Sequence, residues 1–190
     1  MNGWELPTSI EIGGVLRRIN ADYRDILDVI TRLNEQTSEA MYVCLCLFYE
    51  EMERISEDLY GEAVEKMLDF INCGEPQDST PHPKVIDWEQ DRQMIISDIN
   101  KVAGCEVRSL KFCHWWTFIA WFNGIGDGQL ATVVSIREKL RKGKKLDDWE
   151  KSFYRDNRSK VDLKSHYTDA DDLQLSKWLG GGQQCPTERS

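Results

Sequence analysis

The sequence has no apolar run long enough to cross a lipid bilayer. Its two hydrophobic stretches are residues 40–49 and 112–126, whereas a spanning helix needs about twenty predominantly apolar residues. The opening Trp4-Glu5-Leu6-Pro7 also lacks the apolar segment of a signal peptide. We therefore expect no contact with a membrane and a location in the cytoplasm.

Histidine is scarce, with three residues in 190, and this limits the choice of a general base. No serine stands in a nucleophile-elbow sequence, and no Cys-x-x-Cys pair occurs. Several cysteines lie in apolar stretches, where cysteine usually behaves as a small buried hydrophobe. We expect free thiols, no metal, no cofactor and no enzymatic activity. The cysteines are Cys44, Cys46, Cys73, Cys105, Cys113 and Cys185.

Basic residues are few in the first part of the chain, and the net charge of −9 is unevenly spread. Residues 1–100 carry 8 Lys and Arg against 21 Asp and Glu, whereas residues 137–164 carry 11 against 6. An acidic protein is a poor candidate for general duplex binding, because phosphate contacts need clustered bases. Nucleic acid is therefore an unlikely partner, and the basic strip is a candidate for electrostatic contacts with a protein. Its candidate residues are Arg137, Lys139, Arg141, Lys142, Lys144 and Lys145.

The hydrophobic periodicity predicts a mostly α-helical fold. Alternating residues around Gly13-Gly14 favour a short N-terminal β-hairpin, and helical spacing takes over from Asp22. We predict a compact multi-helix domain over residues 1–179, with a possible joint at 74–86, and a flexible C-terminal tail over 180–190. The predicted helices run approximately over 22–33, 37–52, 61–72, 87–103, 109–122, 129–142, 147–157 and 168–179.

Three glycines between the fifth and sixth predicted helices, Gly124, Gly126 and Gly128, invite comparison with a phosphate-binding loop. No strand precedes them, and no Gly-Lys-Ser or Gly-Lys-Thr follows. We predict a tight turn between two helices.

Aromatic residues are abundant, with 7 Trp and 6 Phe, and exposed aromatic residues are frequent anchors of protein interfaces. The predicted 109–122 helix is apolar nearly all round, which favours a central position in the core. We expect one or two of its aromatic residues at the surface, and an opposing wall from the 147–157 helix. The partner-binding candidates are Trp115, Phe118, Trp121, Phe122, Trp149 and Phe153.

Several short sequences, in order along the chain, resemble the phage gene-product-fifteen family. The resemblance covers most of residues 5–165 and is weaker over 40–105. The matching sequences are Leu6-Pro7-Thr8-Ser9-Ile10-Glu11-Ile12-Gly13-Gly14, His114-Trp115-Trp116-Thr117-Phe118, Phe122-Asn123-Gly124-Ile125, Ile136-Arg137-Glu138-Lys139, Lys142-Gly143-Lys144-Lys145-Leu146 and Glu150-Lys151-Ser152-Phe153-Tyr154-Arg155-Asp156-Asn157.

That resemblance implies a protein from the tail-gene region of long-tailed phages and prophages of Gram-positive hosts. Such proteins look like tail assembly chaperones, which coat the tape measure protein before the tail tube polymerises. The implied partner is the tape measure protein, in the cytoplasm of the bacterial host. Independently of the resemblance, the acidic residues 50–75 and the basic strip at 137–164 favour self-association of the chain. Two alternatives stay open: a structural tail or head–tail protein of the virion, and a small nucleic-acid-binding regulator that uses residues 137–164.

Overall fold

The computed structural model describes residues 4–35, 37–75 and 85–164. Within those ranges the chain forms one antiparallel hairpin and eight α-helices, which confirms the predicted mostly α-helical fold with a short N-terminal hairpin. The eighth of these helices was not predicted. The strands are β1 (Ser9–Ile12) and β2 (Val15–Arg18). The helices are α1 (Tyr23–Leu33), α2 (Ser38–Phe48), α3 (Tyr60–Ile71), α4 (Arg92–Ala103), α5 (Trp115–Asn123), α6 (Gln129–Arg141), α7 (Asp148–Asp156) and α8 (Arg158–Val161). Short 3₁₀ turns lie at Met52–Arg54, Glu57–Leu59 and Val107–Ser109.

The predicted hairpin is confirmed, and its turn explains the glycine pair. Gly13 and Gly14 have φ angles of 56° and 76°, which is the left-handed region that a two-residue hairpin turn requires and that glycine adopts at little cost. Ile10 and Ile12 are buried on one face of the hairpin. The hairpin packs against α3 and thereby closes one side of the core.

Local capping signals fix several helix ends where the sequence predicts them. The Asp22 carboxylate accepts the Arg24 N–H at the start of α1. Asp147 and Glu150 form a reciprocal capping box at the start of α7. Both caps satisfy backbone donors that have no partner within the first helical turn.

Three predicted helices are shorter than their apolar patterns suggest. The second ends at Phe48 instead of residue 52, because Tyr49 turns extended and forms a β-bridge with Ile19. The fourth begins at Arg92 instead of residue 87, because the Asp87 carboxylate accepts backbone N–H groups of the preceding turn.

The fifth helix begins at Trp115, and the prediction of a start near residue 109 was wrong. The residues before it pair with the segment that leads into α1: Tyr23 N–H donates to the Cys113 carbonyl, and Trp115 N–H donates to the Ala21 carbonyl. The Asp22 carboxylate also accepts the Cys113 N–H at 2.9 Å. This non-local pairing holds the backbone extended up to His114.

The core joins elements from both sides of the predicted joint at 74–86. Residues 76–84 of that joint lie outside the described ranges. The hairpin, α1 to α6 and α8 contribute to one cluster of buried apolar side chains. Two adjacent indoles tie α5 to the end of α3: Trp115 Nε1–H donates to the Ile71 carbonyl at 2.8 Å, and Trp116 Nε1–H donates to the Phe70 carbonyl at 2.9 Å. These bonds occupy carbonyls that a helix C-terminus leaves without helical partners.

The described helices are short. The longest, α6, has 13 residues, and none in the described part of the chain combines the length and apolar character of a membrane span. The predicted helix at 168–179 and the predicted tail at 180–190 lie outside the described residues.

Candidate functional site

Two of the four aromatic candidates on α5 are core residues. Trp115 and Phe118 are 2% and 0% exposed, and the Phe118 ring stacks on Tyr23 with centroids 4.4 Å apart. Their burial removes both from the set of side chains that a partner could touch directly. Trp121 and Phe122 are half-buried and keep some accessible surface.

The aromatic pair on α7 is more accessible. Trp149 is 61% exposed, and its ring centroid lies 5.7 Å from that of the half-buried Phe153. This helix packs mainly on α8 and is joined to α6 by the ion pair of Lys139 with Glu150. Trp149 and Phe153 pack on each other, and a wall opposite α5 stays a prediction.

Arg137, the first residue of the predicted basic strip, is a buried structural residue. It is 5% exposed, and its guanidinium forms two hydrogen bonds with the buried Asp91 carboxylate. Its remaining N–H groups donate to the carbonyls of Val85, Lys160 and Val161. All five donors of the side chain are thus occupied, and Arg137 offers no charge to an external partner.

The rest of the strip is only partly available. Lys139 pairs with Glu150, and Lys142 pairs with Glu138. The hydrogen bond from Lys142 lowers the pKa of the Glu138 carboxyl and keeps it ionised. The side chains of Arg141, Lys144 and Lys145 are exposed. These three stay candidates for electrostatic contact.

An apolar concavity lies between α1 and α4, and we call it the α1–α4 groove. Its volume is about 460 Å³, within the range of roughly 300–1,000 Å³ that is typical of ligand sites. Tyr23 and Phe118 lie at its buried floor, and the half-buried Leu27 and Trp88 lie at its walls. The complete lining is Tyr23, Arg24, Leu27, Asp28, Thr31, Trp88, Glu89, Arg92, Gln93, Ile95, Ile96, Arg108 and Phe118.

The rim of the α1–α4 groove is charged. Three arginines and two carboxylates line it, namely Arg24, Arg92, Arg108, Asp28 and Glu89. The Arg92 guanidinium lies 3.3 Å from Glu89, and its side chain is 61% exposed. An apolar floor beneath mixed charges suits an amphipathic segment, whose apolar side chains enter while its polar side chains meet the rim.

The sequence patterns did not point to Trp88, which contacts the rings of Trp115, Phe118 and Phe122 at centroid distances of 6.1, 6.4 and 5.0 Å. It lies in the turn before α4, in the stretch that the sequence predicts as the start of the 87–103 helix. The spacing of Tyr23, Leu27 and Thr31 on one face of α1 was the available signal for the opposite wall.

His114 is positioned for structure rather than acid–base chemistry. Its Nδ1 accepts the Trp116 N–H and thereby caps α5, so Nε2 carries the proton and donates to the Pro7 carbonyl at 2.9 Å. Burial lowers the pKa of the imidazole. Both ring nitrogens are therefore occupied in the neutral form.

The glycine turn between α5 and α6 holds a carboxylate of the protein itself. Asp98 is buried, and its Oδ2 accepts the Leu130 N–H in the first turn of α6. A Cβ on Gly128 would lie 2.5 Å from that oxygen. The predicted tight turn is confirmed, and glycine is needed there for the close approach of Asp98.

The cysteines in the described part of the chain, Cys44, Cys46, Cys73, Cys105 and Cys113, are free thiols. Burial raises the pKa of the Cys44 and Cys113 thiols to about 11, which opposes thiolate formation. Within residues 4–35, 37–75 and 85–164, no three His, Cys, Asp or Glu side chains are grouped to hold a metal ion. Cys185 lies outside those ranges.

The fold and the α1–α4 groove describe a small helical protein with a surface suited to binding a polypeptide. Comparison with known protein families matches residues 4–163 to the family described as Bacteriophage Gp15 protein. The chain belongs to that family, and the resemblance seen in its sequence is confirmed. No curated protein matches the chain. No solved structure matches it.

Proposed function

We propose that this phage protein is a tail assembly chaperone that binds an amphipathic segment of the tape measure protein in the α1–α4 groove, without catalysis. The observation that carries the proposal is the groove itself, an apolar concavity with a charged rim in a member of a bacteriophage family. The use of an apolar groove for an amphipathic helix is a recurrent mode of peptide recognition.

The shape of the α1–α4 groove supports a few anchoring side chains rather than a broad flat contact. Its volume of about 460 Å³ accommodates a small number of large apolar groups. In such sites a few well-buried anchors supply most of the binding energy, and the polar rim adds specificity. A chaperone that must later release its client benefits from this limited contact.

Blocking the α1–α4 groove tests the proposal directly. Gln93 lies at the rim and is exposed, so Gln93→Trp introduces a large side chain without removing a core contact. We expect at least a tenfold loss of affinity for the tape measure protein, about 1.4 kcal/mol or more, in titrations followed by calorimetry. Unchanged affinity would place the client elsewhere on the protein.

The matched control is Gln129→Trp. Gln129 is also an exposed glutamine on a helix, but it lies on α6 and does not line the groove. Its affinity for the tape measure protein and its melting temperature should equal those of the wild type.

Infected cells and purified phage particles together distinguish a chaperone from a structural tail or head–tail protein. Mass spectrometry of infected cells should find the protein with the tape measure protein, whereas purified particles should lack it. Stoichiometric protein in mature particles would support a structural role and contradict the chaperone proposal.

A further inference from the structure

One edge of the N-terminal hairpin carries backbone groups without a partner. The two-residue turn makes Ile12 and Ile10 the residues that exchange hydrogen bonds with β2. The N–H and C=O groups of Ser9 and Glu11 therefore point away from β2. Nothing in the described part of the chain bonds to these four groups. β1 is thus an open edge of the sheet.

Side chains of the protein close this edge at both ends. The Pro7 carbonyl, which lies on the same edge, accepts the Nε2–H of His114 at 2.9 Å. At the other end, the Gly13 N–H donates to the Glu62 carboxylate at 3.2 Å. The opening is therefore limited to the four backbone groups between them, which match two alternate residues of one added strand.

The open edge lies in a groove beside the C-terminal part of α3, which we call the β1–α3 groove. Its volume is about 600 Å³, within the range of roughly 300–1,000 Å³ that is typical of ligand sites. Ser9 and Glu11 line it from the hairpin, Asp69 lines it from α3, and the half-buried Trp116 lines it from α5. An added strand thus meets a concave surface as well as a free edge.

The charge of the β1–α3 groove favours a basic occupant. The carboxylates of Glu11, Asp69 and Glu75 line it, against the ammonium of Lys66. All three carboxylates are exposed, and none forms an ion pair within the described residues. Opposite charges stabilise neighbouring strands and like charges destabilise them. The β1 edge of a second copy brings the same excess of carboxylates, so a basic segment is the better occupant.

Apolar surface continues from the β1–α3 groove along α5. A second depression shares Cys73 and Trp116 with the groove and is also lined by Leu6, Ile119 and Ala120. Leu6 is 53% exposed. A segment that pairs with the edge can therefore place an apolar side chain beside Trp116.

We propose that an extended, basic segment of a partner protein adds to the free edge of β1 as a third strand. Its backbone pairs with Ser9 and Glu11, and its basic side chains meet the unpaired carboxylates of the β1–α3 groove. In strand addition the main-chain hydrogen bonds give affinity, and the pockets for alternate side chains give specificity. The β1–α3 groove shares no lining residue with the α1–α4 groove, so this site is a second binding surface that does not depend on the first.

A synthetic peptide tests the proposal on the full chain. The probe is acetyl-Leu-Lys-Val-Lys-Val-Lys-Leu amide, and nuclear magnetic resonance follows the hydrogen exchange of single backbone amides. At saturating probe, the Ser9 and Glu11 amides should exchange at least about tenfold more slowly. The Ile10 and Ile12 amides, which already bond to β2, serve as the internal reference. No binding, or binding without slower exchange at Ser9 and Glu11, would overturn the proposal.

Two control peptides separate backbone pairing from charge. Methylation of the five inner amide nitrogens of the probe removes the donors that an added strand needs, and glutamate in place of its three lysines reverses the charge. Calorimetry should show at least about tenfold weaker binding for each. Equal binding of the methylated peptide would refute strand addition. Equal binding of the glutamate peptide would refute the preference for a basic segment.

Ser9→Pro blocks the edge from the side of the protein. The Ser9 N–H points away from β2, so proline removes no hydrogen bond of the hairpin. Arg18→Pro is the matched control, because the Arg18 N–H points away from β1 on the opposite edge and Arg18 does not line the groove. The probe should bind the Ser9 variant at least about tenfold more weakly and the Arg18 variant as tightly as the wild type. Equal affinities would contradict the proposal.

Charge reversal supplies a second test that leaves the hairpin unchanged. Asp69→Lys alters an exposed side chain of the groove, and Glu65→Lys alters an exposed side chain of α3 that does not line it. Probe affinity should fall severalfold in the Asp69 variant and by much less in the Glu65 variant, whereas equal losses would speak against the groove. A second copy as the natural occupant has its own signature. Slow exchange of the Ser9 and Glu11 amides without probe, together with a dimer in light scattering, would replace the proposed partner by the chain itself.

Discussion

Arg137 and Asp91 face each other in a buried site, with Nη1 of the arginine 2.6 Å from Oδ2 and Nη2 2.9 Å from Oδ1 of the aspartate. The same guanidinium also donates to the Val85 carbonyl before α4 and to the Lys160 and Val161 carbonyls within α8. One side chain therefore joins α6, the segment before α4 and α8. A basic residue that seemed available to a partner is instead a central link of the fold.

Removing the charge from Arg137 should destabilise the protein strongly. Arg137→Met leaves Asp91 buried without its partner, and breaking one side of a buried ion pair typically costs about 3–5 kcal/mol. Urea unfolding measures the loss. Arg155→Met, at an exposed position, should change the free energy of unfolding by less than about 0.5 kcal/mol. Similar effects in both variants would contradict the structural role of Arg137.

His114 should make stability depend on pH. Burial lowers its pKa in the folded protein, so the unfolded chain, with a pKa of about 6.5, binds the proton first as the pH falls. Stability should be fully present above that value and decline below it, by at most about 1.4 kcal/mol per pH unit for this one proton. His114→Asn keeps an acceptor for the Trp116 N–H but does not titrate. Urea midpoints at pH 7.5 and 5.5 should therefore differ more for the wild type than for the variant.

Gly128→Ala should destabilise the α5–α6 turn, because the new Cβ would lie 2.5 Å from a carboxylate oxygen of Asp98. That carboxylate cannot easily move, since Leu130 N–H and the Lys101 ammonium both donate to it. We expect a loss of about 1–3 kcal/mol, as for other overpacked sites. Gly126→Ala is the control, because its Cβ would meet no atom within 4 Å. A thermal scan in which both variants match the wild type would refute the proposed clash.

A buried and an exposed tryptophan should respond differently to replacement by alanine. Trp115→Ala should cost about 3–5 kcal/mol of folding free energy, because the indole is buried and its N–H bonds α3. Trp149→Ala should change stability by less than about 0.5 kcal/mol, since most of that side chain is exposed. Calorimetry with the tape measure protein then tests whether Trp149 contacts the client. A contact predicts a loss of affinity at unchanged stability, and no contact predicts unchanged affinity.

Local chemistry made much of the fold predictable. The Gly13-Gly14 turn, the Asp22 cap and the Asp147–Glu150 capping box each depend on residues a few positions apart. These features can be recognised from the sequence because their hydrogen bonds form within one turn of the chain.

The features that the sequence did not reveal depend on distant partners. The extended residues before Trp115 pair with the chain around Asp22, and that contact overrides an apolar pattern that favours helix. The sequence alone suggests that Arg137 is a surface base, because its buried partner Asp91 is distant along the chain. The α1–α4 groove needs Trp88 and α1 together, and neither segment alone indicates a concavity.

The paired bonds from Trp115 and Trp116 to the end of α3 also give the protein a reporter of its own opening. Indole N–H protons give nuclear magnetic resonance signals apart from those of the backbone, and hydrogen bonding slows their exchange with heavy water. Because the two indoles belong to α5 and their two acceptors, Phe70 and Ile71, belong to the end of α3, both signals should lose protection together when these helices separate. The exposed Trp149 ring supplies an unprotected reference in the same spectrum, so the separation can be timed without any added label.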